Sequence, residues 1–320
     1  MGEPMRREGG GEPGRRHADL LVHGGTVMTP SGAERIDVAC VGGRVVALGA
    51  LRGTWSGDVL LDAGGLHVLP GVVDSQVHFR EPGLTHKETI EAGTRGAVLG
   101  GVTTIFEMPD THPLTLDEQD LQAKLDLARG RAWCDYAFYI GGSAVNAERL
   151  PALESLPGCA GVKVFMGSSF GDLLADDETV LRRILRNGRR RMAVHAEDEA
   201  RLRDHPCWRD EQSALAATRR IVGLAAETGR RLHVLHVSTA DEMALLARHR
   251  RRVTVEVTPH HLSEALFDAC GARATAASLG LDRFWRNART HTLHDPLDYR
   301  LRDVGRFALT GELPPASLYT

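Results

Sequence analysis

Basic side chains recur where predicted β-strands end, and their types could bind a metal ion. They are His78, Lys163, His195 and His236. Imidazole nitrogens are common ligands of Zn²⁺ and similar ions. A single histidine at such a place is more often a satisfied core residue, but three predicted strands that each supply one favour a shared ion. The pattern therefore predicts a metal centre.

Lys163 requires a separate explanation, because an ammonium group cannot ligate a cation. It lies inside the apolar run 161–166, where an unpaired charge would be costly. Reaction of the amine with CO₂ would give a carbamate, whose anionic oxygens can bind a metal ion. The alternative is a lysine with a buried stem and a solvated amine. We favour a carbamylated Lys163 that acts as a ligand.

A repeating pattern of strands and helices must position these residues. Apolar runs alternate with helical segments through seven units in residues 70–262, and this predicts parallel strands joined by helical crossovers. Seven successive units favour a closed α/β barrel of the TIM (β/α) type, in which active sites lie at the C-terminal ends of the strands. The predicted strands are 72–79, 102–107, 133–140, 161–166, 192–195, 231–237 and 253–258.

The segments that flank the barrel differ from it in character. Residues 1–18 are rich in Gly, Arg and Glu and predict a disordered leader. Residues 19–69 contain short apolar runs separated by three glycine pairs, which are hairpin signals, and they predict a small β-sandwich-like domain. Residues 263–320 have no clear strand and helix pattern, so we expect a divergent C-terminal tail and an incomplete eighth barrel unit.

Composition excludes several classes of function. The net charge is −3, which gives no indication of a nucleic-acid partner or an anionic membrane surface. The five cysteines are scattered and form no CxxC pair, so they predict reduced thiols. No apolar run reaches the roughly 20 residues that a membrane span requires. We therefore expect a cytoplasmic protein that binds neither nucleic acid nor membranes.

Several short phrases of the sequence are informative as an ordered set. They are Gly71-Val72-Val73-Asp74 with His78-Phe79-Arg80-Glu81-Pro82-Gly83, Gly101-Val102-Thr103-Thr104 with Met108-Pro109, Lys163-Val164-Phe165-Met166-Gly167-Ser168-Ser169, His195-Ala196-Glu197, His236-Val237-Ser238-Thr239 and Thr258-Pro259-His260-His261-Leu262. Together they resemble the signature of class I-like dihydroorotases in the amidohydrolase superfamily, and the resemblance runs from about residue 19 to 262. Allantoinases, hydantoinases and dihydropyrimidinases share much of it, and the run Arg80-Glu81-Pro82-Gly83 favours dihydroorotase.

The resemblance implies a divalent ion, usually zinc, that polarises a cyclic amide carbonyl and lowers the pKa of bound water. The implied reaction interconverts dihydroorotate and N-carbamoyl-aspartate in pyrimidine biosynthesis, and the alternative is an allantoinase, hydantoinase or dihydropyrimidinase reaction. Arg80 is implied as the group that holds the substrate carboxylate, together with Asp110 at the family's asparagine position. The implied metal ligands are His78, Lys163, His195 and His236.

Three departures from the family pattern bear on activity. Gln76 stands where the first strand of the family has a second histidine, so one metal position is weakened. An ionised Asp110 would repel a substrate carboxylate or neutralise Arg80. The strand-eight aspartate that ligates the metal and shuttles a proton has no counterpart, so no catalytic residue is assigned. We expect one tightly bound zinc ion and a weak second one.

These departures leave three interpretations open. The first is an active cyclic amidohydrolase in which His260 or His261 replaces the missing proton shuttle. The second is a catalytically impaired homologue that self-associates or acts as a structural partner of aspartate transcarbamoylase. The third is a shortened or out-of-frame gene end, which would leave a barrel with exposed strand edges and poor folding.

Overall fold

The computed structural model describes residues 15–167, 171–204 and 210–257. The chain divides into two compact units. One unit comprises the residues up to Val73 together with Gly101–Thr103, and the other comprises Asp74–Gly100 and the residues from Thr104 onward. The predicted tail 263–320, and with it any eighth barrel unit, lies outside the described residues.

The first unit is formed by short strands in two sheets. One sheet has the strand order β5-β4-β1-β6 and the other has the order β3-β2-β7. Buried Val22, Val27, Val38 and Ala63 pack together and hold strands of both sheets in one apolar core. The expected N-terminal sheet domain is therefore confirmed. The strands are β1 (Arg16–His23), β2 (Thr26–Thr29), β3 (Gly32–Arg35), β4 (Asp37–Val41), β5 (Arg44–Gly49), β6 (Trp55–Asp62) and β7 (His67–Val68).

Only one of the three glycine pairs forms the predicted hairpin. Residues 42–43 join the antiparallel strands β4 and β5, and both glycines have positive φ. The pairs 24–25 and 64–65 instead lie where the chain passes from one sheet to the other, since β1 and β6 belong to one sheet and β2 and β7 to the second. A Cβ atom on Gly25 would lie 2.8 Å from Val68 Cγ2, so this glycine permits close packing of two segments.

The predicted boundary of the leader was also wrong. Strand β1 begins at Arg16 and not after residue 18, because Arg16 to Ala18 pair in parallel with Trp55 to Gly57 of β6. Because the pairing strand β6 lies so far along the chain, the sequence of this segment, rich in Gly, Arg and Glu, has no local pattern that indicates a strand. Residues 1–14 lie outside the described residues, and their disorder stays a prediction.

The barrel sheet has its strands side by side in chain order from β8 to β14. Strands β9 to β14 pair in parallel, with helices between successive strands, as a (β/α) barrel requires. The TIM-barrel type of α/β fold is confirmed through these strands. They are β8 (Val72–Val77), β9 (Val102–Glu107), β10 (Asp135–Gly141), β11 (Cys159–Phe165), β12 (Met192–His195), β13 (Leu232–Val234) and β14 (Val253–Val255).

The helices that join these strands follow the predicted order. The connection between β10 and β11 forms a 3₁₀ turn, Ala147–Arg149, followed by one short helix, and two helices lie between β12 and β13. None of the helices in the described ranges combines the length and the apolar character that a membrane span requires. The helices are α1 (Ile90–Leu99), α2 (Glu118–Ala128), α3 (Leu150–Leu153), α4 (Glu178–Arg186), α5 (Glu199–Asp204), α6 (Glu211–Thr228) and α7 (Ala240–Ala247).

The first and last strands of the barrel sheet approach each other. Ser75 Oγ of β8 donates a hydrogen bond to Glu256 Oε2, directly after β14, at 2.6 Å. His233 Nε2 of β13 lies 3.0 Å from the same oxygen. In a flat sheet, six strand spacings would separate the edge strands by roughly 29 Å. The contact therefore shows that the sheet is strongly curled.

A buried ion pair fastens the segment between α3 and β11 to the residues that precede β13. Glu154 Oε2 lies 2.7 Å from Arg230 Nη2, and the two residues are 2% and 4% exposed. Glu154 also accepts a hydrogen bond from the backbone N–H of Arg190 at 3.1 Å, just before β12. One carboxylate thus joins three connections of the barrel.

We predict that Glu154→Ala lowers the free energy of unfolding by about 3–5 kcal/mol, because it leaves the Arg230 guanidinium buried without its counter-charge. Urea denaturation followed by circular dichroism measures the change. The control is Glu148→Ala, since Glu148 pairs with Arg183 at the surface. We expect the urea concentration at its unfolding midpoint to stay near that of the wild type. Equal midpoints for the two variants would contradict the prediction.

Candidate active site

The four predicted metal ligands lie close together at the C-terminal ends of the barrel strands. Lys163 lies in β11 and His195 is the last residue of β12, while His78 directly follows β8 and His236 lies just beyond the end of β13. His195 Nδ1 is 2.7 Å from His236 Nε2. Burial lowers the pKa of His236 well below its usual value, and positive charge at His195, Lys163 and His78 lowers it further. The structure therefore brings the four together, and their role as ligands stays a prediction.

The backbone leaves the strand conformation where it presents two of the predicted site residues. The predicted strands 72–79 and 231–237 end earlier, at Val77 and Val234. Arg80 has φ of 65° and His236 has φ of 66°, in the left-handed region that favours glycine. Such residues cost about 1–3 kcal/mol each and are often found at functional sites. The chain thus turns sharply after both strands instead of continuing them.

Lys163 is completely buried, and its amine lies in largely apolar surroundings. Within the described residues its Nζ atom has no hydrogen-bond partner, and it lies 4.3 Å from the centroid of the Phe165 ring. Its neighbours in register are Gly141 and Ala193, which are small enough to leave room for the amine. Burial lowers the pKa of Lys163 to about 7, although negative charge at Asp110 and Glu256 opposes the shift. A large share of the amine is therefore neutral at neutral pH.

His195 is held at both ring nitrogens. Its Nε2 atom lies 3.0 Å from Glu197 Oε2, and its Nδ1 atom faces His236. The rings of His195 and His236 are nearly perpendicular, with centroids 4.7 Å apart. Both histidines line a cavity of about 460 Å³, so a small molecule has space beside them.

His78 and Arg80 share one carboxylate. His78 Nδ1 lies 2.9 Å and 3.1 Å from the two oxygens of Asp110, and Arg80 Nη1 donates to Asp110 Oδ2 at 3.3 Å. Burial alone would raise the pKa of Asp110, but His78 and Arg80 hold it well below its usual range. Asp110 is therefore ionised, and its own charge already offsets that of Arg80.

The neighbouring Glu81 has a structural role. It is 6% exposed, and its Oε2 accepts a hydrogen bond from the N–H of Ile90, the first residue of α1, at 2.8 Å. Arg131 Nη1 donates to the other oxygen at 2.8 Å. The run 80–83 therefore contributes to packing and helix formation, and only Arg80 in it has a charge directed at the site. This weakens the argument for dihydroorotase that the sequence placed on this run.

A second carboxylate at the end of β9 was missed. Glu107 and Lys124 of α2 are both buried, and Lys124 Nζ lies 2.7 Å from Glu107 Oε2 and donates to the Met108 carbonyl at 3.0 Å. Burial raises the pKa of Glu107 to about 7 against the opposing charge of Lys124. The pair anchors the segment that leads to Asp110. A carboxylate at a strand end is visible in the sequence, but its lysine partner on a helix is not.

The residues fit a metal ion once Lys163 is counted. No group of three His, Cys, Asp or Glu side chains in the described ranges is already arranged around an ion. Lys163 supplies a buried amine that has no hydrogen-bond partner among the described residues, and His195 and His236 supply facing nitrogens. Two nitrogens on one tetrahedral zinc ion lie roughly 3.3 Å apart, so their 2.7 Å separation has to widen only slightly. His260 and His261, the predicted proton shuttles, lie outside the described residues.

Comparison with known proteins agrees with this fold. The sequence model of the dihydro-orotase-like family matches residues 65–142. The chain is 36% identical over 270 residues to an allantoinase of Rubrobacter xylanophilus, covering 76% of this chain and 58% of the relative. It is 32% identical over 267 residues to an allantoinase of Deinococcus radiodurans, covering 76% and 59%. The chain thus spans less than two thirds of the length of these relatives.

Solved structures show the same likeness. The L-hydantoinase (dihydropyrimidinase) of Arthrobacter aurescens superimposes with a TM-score of 0.69 at 28% identity, over 76% of this chain and 59% of that one. The dihydropyrimidinase of Brevibacillus agri gives a TM-score of 0.68 at 28% identity, over 76% and 58%. These relatives have allantoinase and hydantoinase names, whereas the sequence favoured dihydroorotase. Together the matches support the amidohydrolase superfamily for the barrel and its N-terminal sheet domain.

Proposed function

We propose that this chain is a metal-dependent hydrolase of cyclic ureides that have no carboxylate, such as hydantoins or allantoin. The observation that carries the proposal is the contact between Arg80 and Asp110 at 3.3 Å, in which both side chains are largely buried. The guanidinium that would bind a substrate carboxylate is already paired, and the ionised Asp110 repels an anion. The allantoinase and hydantoinase names of the relatives support the same substrate class.

In this proposal the residues of the chain prepare a site for ring opening. A carbamylated Lys163 would hold an ion together with His195 and His236, and His78 would contribute its Nε2 atom, since Nδ1 is engaged by Asp110. A bound zinc ion would polarise the ring carbonyl and lower the pKa of its water. Water adds across the C–N bond of the ring, so that the carbon gains OH and the nitrogen gains H.

Dihydroorotate remains the second candidate substrate, because the family model that matches residues 65–142 is that of dihydro-orotase-like proteins. Arg80 would then have to leave Asp110 and bind the substrate carboxylate. The weak second zinc ion and the partners named from the sequence, aspartate transcarbamoylase or a second copy, stay predictions, since no contact in the described residues bears on them.

The charge of a substrate should determine how readily this chain opens its ring. With zinc and bicarbonate present, we expect a higher kcat/KM for hydantoin or allantoin than for dihydroorotate. Asp110→Asn should shift this ratio towards dihydroorotate by about tenfold or more, because it removes a like charge from the site. The amide oxygen that this substitution introduces can still accept a hydrogen bond from His78, so the ratio and not the absolute rate is the readout.

Asp126→Asn is the matched control for this experiment. Asp126 lies on α2, and its exposed side chain pairs with Arg129, so its substitution should leave the ratio unchanged. Ring opening is followed by loss of ultraviolet absorbance for each substrate. Preferential turnover of dihydroorotate by the wild type, or an unchanged ratio in Asp110→Asn, would refute the proposed substrate class.

The zinc content of the protein should depend on Lys163. Lys163→Ala removes the carbamate, so we expect zinc content and turnover to fall together, and treatment of the wild type with a chelator should have the same effect. Acetate or propionate should restore part of both, because a small carboxylate can occupy the space left by the side chain and supply the missing anion. Metal is measured by atomic emission on gel-filtered protein.

Lys87→Ala serves as the control for loss of a lysine. Lys87 lies in an exposed position before α1, and its substitution should change neither zinc content nor turnover. If Lys163→Ala kept the zinc content and rate of the wild type, the carbamate would have no part in the site.

A further inference from the structure

The two ring nitrogens of His195 have partners of different kinds. Nε2 lies 3.0 Å from Glu197 Oε2, and Nδ1 lies 2.7 Å from His236 Nε2. An ionised carboxylate can only accept a hydrogen bond, so with Glu197 ionised the hydrogen of His195 belongs on Nε2. In that tautomer Nδ1 keeps its lone pair, and this is the nitrogen that faces His236.

The position of Glu197 is fixed by packing of the backbone. Its side chain is only 12% exposed. A Cβ atom added to Gly167 would lie 2.7 Å from the carbonyl oxygen of Glu197, so the connection after β12 packs tightly against the connection after β11. Glu197 thus lies two residues beyond the end of β12. Its segment cannot shift without displacing the connection after β11, the strand that contains Lys163.

A matching arrangement at His78 indicates that the carboxylate has a purpose beyond packing. Asp110 contacts Nδ1 of His78 at 2.9 Å, which leaves Nε2 as the nitrogen with the lone pair. The carboxylates therefore impose opposite tautomers on the two histidines. Histidines that ligate metal ions commonly donate their other ring N–H to a carboxylate, which fixes the tautomer and makes the ligating nitrogen more basic.

We infer that Glu197 is a positioning residue that holds His195 in the Nε2–H tautomer and thereby selects Nδ1 as its metal-binding nitrogen. The inference rests on the proposed function only for the presence of a zinc ion, and it makes no claim about the substrate. Glu197 contributes no ligand of its own. It acts through the hydrogen bond to His195.

Zinc affinity tests the inference without any substrate. Metal-free protein in bicarbonate buffer is titrated with zinc in competition with a chelating dye. We expect Glu197→Ala to bind zinc about 10–100-fold more weakly than the wild type. Glu197→Gln should lie between the two, because its amide oxygen can still accept from Nε2–H. Glu148→Gln, which changes an exposed carboxylate paired with Arg183, should bind zinc like the wild type.

The tautomer of His195 is a second readout. It would not change if Glu197 only stabilised the fold. The protein is labelled with ¹⁵N-histidine, and long-range ¹H–¹⁵N spectra show which ring nitrogen has the hydrogen. The signals of His195 are those that disappear in the variant His195→Gln. We expect the Nε2–H form in the zinc-loaded wild type and a mixture of tautomers in Glu197→Ala. The midpoint of urea unfolding is measured for every variant to identify any that has lost the fold. If Glu197→Ala has lost it, Glu197→Gln is compared with the wild type instead.

The outcomes separate this inference from the proposed function. Zinc binding by Glu197→Ala as tight as that of the wild type would overturn the inference, and so would an Nδ1–H tautomer of His195 or a wild type that binds no zinc. A wild type that binds zinc with the expected effect of Glu197→Ala, yet opens no cyclic ureide, would refute the proposed function and leave the role of Glu197 supported.

Discussion

A primary amine enclosed on the inner face of a curled parallel sheet is the constraint on which the site depends. Lys163 cannot remain charged there at low cost, and burial brings its pKa to about 7. Its neighbours in register are small, its amine lies over the ring of Phe165, and the opposing charges belong to Asp110 and Glu256. These conditions favour conversion of the amine into a group that an ion can hold.

Carboxylates from three different connections hold the polar residues around this amine. Asp110 follows β9 and orients His78, while Glu197 follows β12 and orients His195. Glu256 follows β14 and joins β8 to β13 through hydrogen bonds to Ser75 and His233. The contacts of Asp110 and Ser75 cross between segments that are distant in the chain. Hydrogen bonds within the protein therefore already constrain these side chains, and such pre-organisation lowers the entropy that ligand binding must overcome.

The sequence predicted the parts of the site that depend on local pattern. Strand β12 was placed at its observed residues, 192–195, because its apolar run is short and sharply bounded. The basic residues at strand ends were found because parallel strands bring those ends together. Their hydrogen-bond partners were not found, since Glu256 and Ser75 lie far apart in sequence and nothing local connects them. For the same reason glycine pairs predicted hairpins where the chain instead changes sheets.

Arg80 and His236 occupy backbone conformations that glycine would adopt without strain. Replacement of either by glycine would remove that strain, and it would also remove a guanidinium or an imidazole from the site. Selection for heat resistance and selection for activity therefore favour different residues at these two positions. Stability and the chemistry proposed for the site thus place opposing demands on the same two residues.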